Sequence, residues 1–249
     1  MRCLIAAALL LPLSALADDA AAPAPPPPPP APTTWAGSLS GGYIRTAGAT
    51  DTTASNVKGE LDYTNLPWAN ELTGSMATGS TSGTTSAEQY DAADKLKFSF
   101  DDVDYAFGKL SYDNNRFNGI AENYAESLGY GRRLLMLEKQ TLDAEIGVGD
   151  SQQREEGQTQ FDNQFIGTAG FKYIYNFTPT SQFTQTLDSE IGTKNTLIHP
   201  VSALKLTIVG QLNATLSYDY TYNTTVPDGT PHSTTIESVS LGYTFGKKP

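Results

Sequence analysis

The chain is poor in the residues that usually build a catalytic or metal centre. It has 249 residues with one cysteine, Cys3, and two histidines, His199 and His232. One cysteine excludes an internal disulfide framework and a cysteine-based zinc site. Two distant histidines exclude a histidine-rich metal cluster, and no dinucleotide, phosphate-loop or kinase motif occurs, so no cofactor is expected. Charge is scarce as well: only 17% of residues are Asp, Glu, Lys or Arg. Acids outnumber Lys plus Arg by 27 to 16, giving a net charge of −11. That balance excludes nucleic acid as a partner, because phosphate binding needs a basic surface. Beyond residue 17, no stretch approaches the roughly 20 apolar residues that a spanning helix requires. A helical hydrophobic period is also missing from residue 35 onward.

Alternation with a period of two is what the sequence has instead. In "QLNATLSYDYTYN" (211–223), Leu212, Ala214, Leu216, Tyr218 and Tyr220 form one row and Gln211, Asn213, Thr215, Ser217, Asp219 and Thr221 the other. Such a pattern is a strand with one oily and one wet face. It recurs at 56–63, 95–100, 141–148, 165–175, 183–191 and 238–245, and less cleanly at 35–46, 71–79, 104–113 and 121–133. The oily rows are one side chain deep, and no second set of elements is present to cover them. The wet rows carry Ser, Thr, Asn and Gln rather than the dense Lys and Glu of a soluble surface. A closed antiparallel transmembrane β-barrel over residues 35–246 satisfies both rows, oily to lipid and wet to the lumen. The spacing predicts twelve strands, with ten as the second choice, each spanning about 9–11 residues. Short connections fall near 65–70, 101–104, 134–137, 177–180 and 209–211. Longer polar ones fall at 46–52, 80–88, 114–121, 150–160 and 223–234. An even strand number places both termini on the short-turn, periplasmic side.

The first seventeen residues, "MRCLIAAALLLPLSALA", read as an export signal cleaved near Ala17, with Arg2, an apolar run and an Ala-Leu-Ala end. Residues 18–34 form a proline-rich linker in which Pro25 to Pro30 favour an extended polyproline rod. It serves as a periplasmic spacer or as a contact to a periplasmic partner or the cell wall. Residues 247–249 are a short tail. These features predict the outer membrane of a Gram-negative bacterium, with lipid and lipopolysaccharide as surroundings and the barrel-assembly machinery as partner during insertion.

Parity assigns Lys58, Glu60, Asp62, Lys95, Lys97, Asp143, Glu145, Lys172, Asp188, Glu190 and Asp219 to the lumen. This mixed-sign lining reads either as a pore wall that tunes ion passage or as a network of ion pairs that holds a plugged interior. Trp35, Trp68, Tyr175, Phe177, Tyr243 and Phe245 fall at inferred periplasmic strand ends, where amphipathic rings suit the membrane–water boundary. Tyr112, Tyr124 and Tyr222 fall near the opposite ends. Arg116 and the Arg132–Arg133 pair read as interfacial anchors, with Arg116 placed to meet lipopolysaccharide phosphates.

Three stretches resemble the YdiY-like family of salt-induced outer-membrane proteins, which carries a domain of unknown function. They are "WAGSLSGGYIRTAGATDTT", the segment Arg116, Phe117, Gly119, Ile120 followed by Leu128, Gly129, Tyr130, and the final "VSLGYTF". The resemblance implies an outer-membrane barrel of unassigned activity with a link to salt. The reading is a non-enzymatic barrel, porin-like, with a structural or passive small-solute or ion-permeation role in salt or osmotic stress. A barrel-borne lipid- or peptide-acting enzyme is the alternative, for which His199 or His232 would have to supply the base. A surface binding or adhesion module on loops 150–160 and 223–234 is another.

Overall fold

A computed structural model of the chain describes residues 34–46, 52–116 and 119–246. The expected signal segment, nearly all of the linker, the loop around 47–51, Phe117 and the tail 247–249 lie outside the described residues. Twelve strands follow one another: β1 (Thr34–Thr46), β2 (Thr52–Asn65), β3 (Trp68–Thr81), β4 (Thr84–Ser99), β5 (Asp104–Asn115), β6 (Ile120–Met136), β7 (Gln140–Glu155), β8 (Asp162–Thr178), β9 (Ser181–Gly192), β10 (Thr196–Val209), β11 (Leu212–Asn223) and β12 (Ser233–Gly246). Each pairs antiparallel with the next, and β12 returns to β1, closing a barrel. Closure removes every sheet edge, which is what lets strands cross a bilayer without orphaned backbone groups.

The two faces are inverted relative to a soluble protein. Leu128 is 71% exposed and Ile146 65%, whereas Asn115, Asn223 and Gln89 are at most 2% exposed. A leucine left bare costs free energy in water and nothing in acyl chains, so these rows face lipid. The opening stretch keeps its parity: Leu212, Leu216 and Tyr218 are exposed on the outside, and Asn213 and Thr221 are buried inside.

Strands run longer than the expected 9–11 residues, from 12 in β5 to 17 in β6. The polar stretch 80–88, expected as a long loop, is a hairpin instead. Its turn is only Ser82–Gly83, both at positive φ (51° and 79°), and β4 starts at Thr84. A two-residue turn with both φ positive continues the right-handed strand twist. Residues 150–155, expected in a loop, likewise belong to β7. Ladder hydrogen bonds do not need apolar side chains, so pairing continues past the oily belt. Thr53 with Ser80 (2.7 Å) and Ser55 with Thr78 (2.8 Å) extend it on the wet end of β2–β3.

The opposite end carries tight turns. In the 100–103 turn, the Asp101 carboxylate accepts the backbone N–H groups of Val103 and Asp104, both at 2.7 Å. Those two donors hold its carboxyl below the usual carboxylate range.

Two inward rings depart from the oily-out rule. Tyr105 and Phe107 point into the lumen and are 0% and 5% exposed. They fit because the facing residues of β6 are glycines. A Cβ on Gly131 would lie 2.3 Å from the Tyr105 ring, and one on Gly129 2.5 Å from the Phe107 ring. The "GYG" of β6 therefore makes two slots around an outward Tyr130.

Candidate functional site

The charged lumen is the chemically distinctive part of the molecule. Near the short-turn end, Glu71 of β3 accepts Lys172 Nζ of β8 at 2.7 Å and Lys97 Nζ of β4 at 3.3 Å. Glu145 of β7 accepts Lys95 Nζ of β4 at 2.6 Å and the Tyr105 hydroxyl at 3.0 Å. Lys172 also lies 3.9 Å from Glu60 of β2, and Lys97 lies 4.0 Å from Glu145. Strands β3 and β8, β4 and β7, and β2 and β8 are not neighbours in the sheet. Their side chains can meet only by crossing the lumen. The crossing is braced by ring faces: Lys95 stands 5.5 Å from the Phe107 centroid, Lys97 5.5 Å and Arg133 5.4 Å from that of Tyr105. A cavity of about 80 Å³ remains between Glu71, Lys95, Lys97, Asp143, Glu145 and Lys172.

A second tier lies above it. Lys109 of β5 reaches Asp188 of β9 at 2.7 Å, again between strands that are not neighbours. His199 Nε2 of β10 meets Asp219 of β11 at 2.8 Å. Toward the long-loop end the chemistry changes to amides and hydroxyls. Asn195 donates to Gln153 Oε1 (3.0 Å) and Asn223 Oδ1 (2.8 Å), and Gln164 Oε1 accepts the backbone N–H groups of Lys194 and Asn195. This network folds the 193–195 connection inward over the barrel mouth.

Of the residues that parity assigns inward, the structure brings Glu60, Lys95, Lys97, Glu145, Lys172, Asp188 and Asp219 into ion pairs. Asp143 lines the cavity, and Lys58 makes no ion pair among the described residues. Asp62 approaches Glu60 and Glu71, with one carboxylate oxygen of each within 4.8 Å of the others. Lys172 already supplies positive charge there. Glu190 faces the upper tier near Asp188. Sequence reasoning missed Glu71, Lys109, Tyr105, Asp91, Asp113 and the inward place of His199. Glu71 and Lys109 sit in β3 and β5, two of the four strands whose alternation is less clean in the sequence. A signal did exist for Lys109, which shares parity with Tyr105 and Asp113.

The exterior aromatics gather in pairs at the short-turn end. Trp35 packs on Tyr63 (4.9 Å between centroids), Trp68 on Phe98 (4.8 Å) and Tyr175 on Phe177 (4.8 Å). The Tyr243 hydroxyl donates to Gln211, and the Phe245 ring covers Gly37. At the other end Tyr112 packs on Tyr124 (5.0 Å). Arg116 is engaged by Glu88 (2.7 Å) and Glu156 (3.5 Å), and Arg132 by Asp104 (3.6 Å). The alternative of an enzyme needs a nucleophile beside a base. Among the described residues His199 Nε2 is on Asp219 and His232 Nδ1 is on the Asn223 carbonyl, both at 2.8 Å.

The chain is 27% identical over 243 residues to the uncharacterized protein YdiY of Escherichia coli (strain K12), covering 97% of this chain and 96% of the relative. Among solved structures, the NanC porin aligns with a TM-score of 0.47 at 10% identity, over 85% of this chain and 97% of that one. The KdgM porin aligns at 0.44 and 9% identity, over 86% and 99%. A family model described as "Protein of unknown function, DUF481" matches residues 40–245, which span the strands from β1 to β12 and contain the Arg116–Tyr130 and Val239–Phe245 segments that first suggested the resemblance, and the chain belongs to that family.

Proposed function

We propose that the protein is an outer-membrane barrel whose lumen is narrowed to a wet, ion-paired constriction, passing water and small ions while excluding larger solutes. The observation that carries this reading is the set of lumen-crossing pairs Lys172–Glu71, Lys95–Glu145 and Lys109–Asp188. A barrel of twelve strands is intermediate between filled small barrels and open porins, so its contents decide its permeability. Here the contents are charges of both signs, and they stay wet: the side chains of Lys95 and Glu145 keep 17% and 14% of their accessible surface, and Lys172 keeps 31%. Mixed charge favours neither anions nor cations strongly.

Around this core the remaining roles are part of the same proposal. The leader is removed near Ala17, the proline-rich linker spaces the barrel from periplasmic or cell-wall contacts, and the Phe245 strand is read by the assembly machinery. The exterior rings settle among lipid and lipopolysaccharide headgroups. A role in salt stress has a physical route, because the Debye length falls from about 10 Å at 0.1 M to about 3 Å at 1 M and the pairs loosen as it shortens.

Planar-bilayer recording tests the reading. The mature chain is expected to show small, weakly selective unitary currents. Lys172→Ala combined with Lys95→Ala should raise the unitary conductance by removing the bars of the constriction. A flat trace from both proteins, with folded barrels shown by heat-modifiable gel migration, sinks the permeation role.

A further inference from the structure

We infer that the outer mouth of the barrel is closed by a strap, residues 224–231, which is fastened at its base and lifts at its tip to admit solutes. The strap is the connection between β11 and β12, and its tip lies against Gly119 in the connection between β5 and β6. A Cβ on Gly119 would stand 2.9 Å from Pro227 Cγ, 3.2 Å from Pro227 Cδ and 3.4 Å from Thr230 Cγ2. In the closed order of twelve strands these two connections are half a turn apart. Contact between them has to pass over the lumen.

The strap is fastened unequally. At its base the Asn223 N–H donates to the His232 carbonyl at 2.9 Å, and His232 Nδ1 meets the Asn223 carbonyl at 2.8 Å, so the two chain segments form a neck. Just beyond the neck, Thr224 N–H donates to the Thr196 carbonyl (3.1 Å), Thr225 N–H to Asn195 Oδ1 (3.1 Å) and Thr225 Oγ1 to the Lys194 carbonyl (2.6 Å). The base is thereby sewn to the 193–195 connection, which Gln153, Gln164 and Asn223 already hold. The tip has no such stitching. Among the described residues no hydrogen bond or ion pair joins 226–231 to the β5–β6 connection, and Pro227 and Thr230 rest on Gly119 by packing alone.

Both sides of that contact are preformed. Thr230 donates its N–H and its hydroxyl to the Pro227 carbonyl, at 3.0 and 2.6 Å, which makes the tip a tight turn, and Pro227 and Pro231 restrict φ on either side of it. On the far wall Gly119 has a φ of 70°, where side chains strain the backbone, and its carbonyl accepts the Glu156 N–H at 2.8 Å. A stiff tip on a bonded base moves as one piece, as hinged loops do. The Arg116–Ile120 segment, which the ion-paired constriction does not use, thus provides the seat of the strap. The strap stands whether or not the constriction at the other end conducts.

Thiol labelling of the detergent-folded barrel tests it. Ser151 of β7 faces the lumen on Asn123, is 2% exposed, and lies one inward position below Gln153. Ser151→Cys in a Cys3→Ser background places a single reporter thiol there, and the probe is a bulky, charged maleimide that the constriction below would stop. Labelling is expected to be slow. Pro227→Gly, which takes the ring off its seat, should speed it about tenfold, the factor that about 1.4 kcal/mol of lost contact gives in the open fraction. Gly119→Ala, whose methyl crowds the same ring, should act likewise from the far wall. Asp228→Asn, on the tip but outside the contact, should leave the rate unchanged. Heat-modifiable migration checks that each variant is folded, and full-rate labelling in urea checks the thiol. Fast labelling with the strap intact overturns the inference. So does slow labelling that persists both in Pro227→Gly and after deletion of residues 226–230, or an acceleration by Asp228→Asn equal to that by Pro227→Gly. Labelling reads access and not current, so its outcome is separate from that of the conductance measurement.

Discussion

The two ends of the lumen solve the problem of buried polarity in different ways. At the short-turn end, charges of opposite sign reach across the barrel, as in Lys172–Glu71 and Lys95–Glu145, and are backed by the rings of Tyr105 and Phe107. At the long-loop end, amides and hydroxyls bond one another, as in Asn195 with Gln153 and Asn223, and below them Asp91 and Asp113 are cross-strand partners with no basic side chain at ion-pair distance among the described residues. The first region trades Coulomb energy for the loss of hydration. The second saves on desolvation but sets two acidic side chains together. Removing a charge should therefore harm one region and help the other.

The largest effect belongs to the first region. Glu71→Ala strips a partner from both Lys97 and Lys172 and should destabilise the barrel by about 2–3 kcal/mol, somewhat below the figure for a fully dry pair. Urea unfolding in lipid vesicles reads this directly, and a loss under 1 kcal/mol would mean that water, not Glu71, carries the lysines. Next comes Gly131→Ala, whose methyl would meet the Tyr105 ring; a cost of about 1–3 kcal/mol is expected from overpacking. Tyr105→Ala in the same chain should relieve part of that clash, and strict additivity in the double-mutant cycle breaks the slot interpretation. In the second region, Asp113→Asn should be neutral or stabilising by about 0.5–1.5 kcal/mol in the same unfolding measurement, the opposite sign to Glu71→Ala. A destabilisation there as large as that of Glu71→Ala would erase the contrast. The smallest effect is at the turn. Asp101 has a carboxyl held low by backbone N–H groups, so its contribution is present above the ordinary carboxylate range and fades as pH falls through its depressed value. Asp101→Ala should lower neutral-pH stability slightly and leave stability below the depressed value unchanged, so that the acid limb of the urea-unfolding profile flattens.

Parity made the barrel legible. The rows at 211–223 and 238–245 could be split into lipid and lumen faces by inspection because lipid and water demand opposite residue types. Strand ends were less legible. Thr84 and Thr85 look like loop, yet they pair, since backbone ladders continue in water with any side chain and only Ser82–Gly83 marks the turn. The lumen partners were not legible at all. Lys172 and Glu71 are separated by 101 residues, and only the closed register brings them together. Tyr105 and Phe107 misdirect a reader who places every ring outside, and the clue to them lies on another strand, in Gly129 and Gly131.

The join between the first and last strands has a mechanical meaning. The β1–β12 ladder runs only from Ala36↔Gly246 to Gly41↔Leu241, while β1 and β2 remain paired as far as Thr46↔Thr52. Asn56 Nδ2 reaches Ser240 Oγ at 2.8 Å, a stitch from β2 to β12 that leaps over the bare backbone of Gly42. A cylinder under lateral tension tears where its rivets are fewest. This seam is where the wall would unzip first, and Asn56, though it bears no charge, helps to resist the tear.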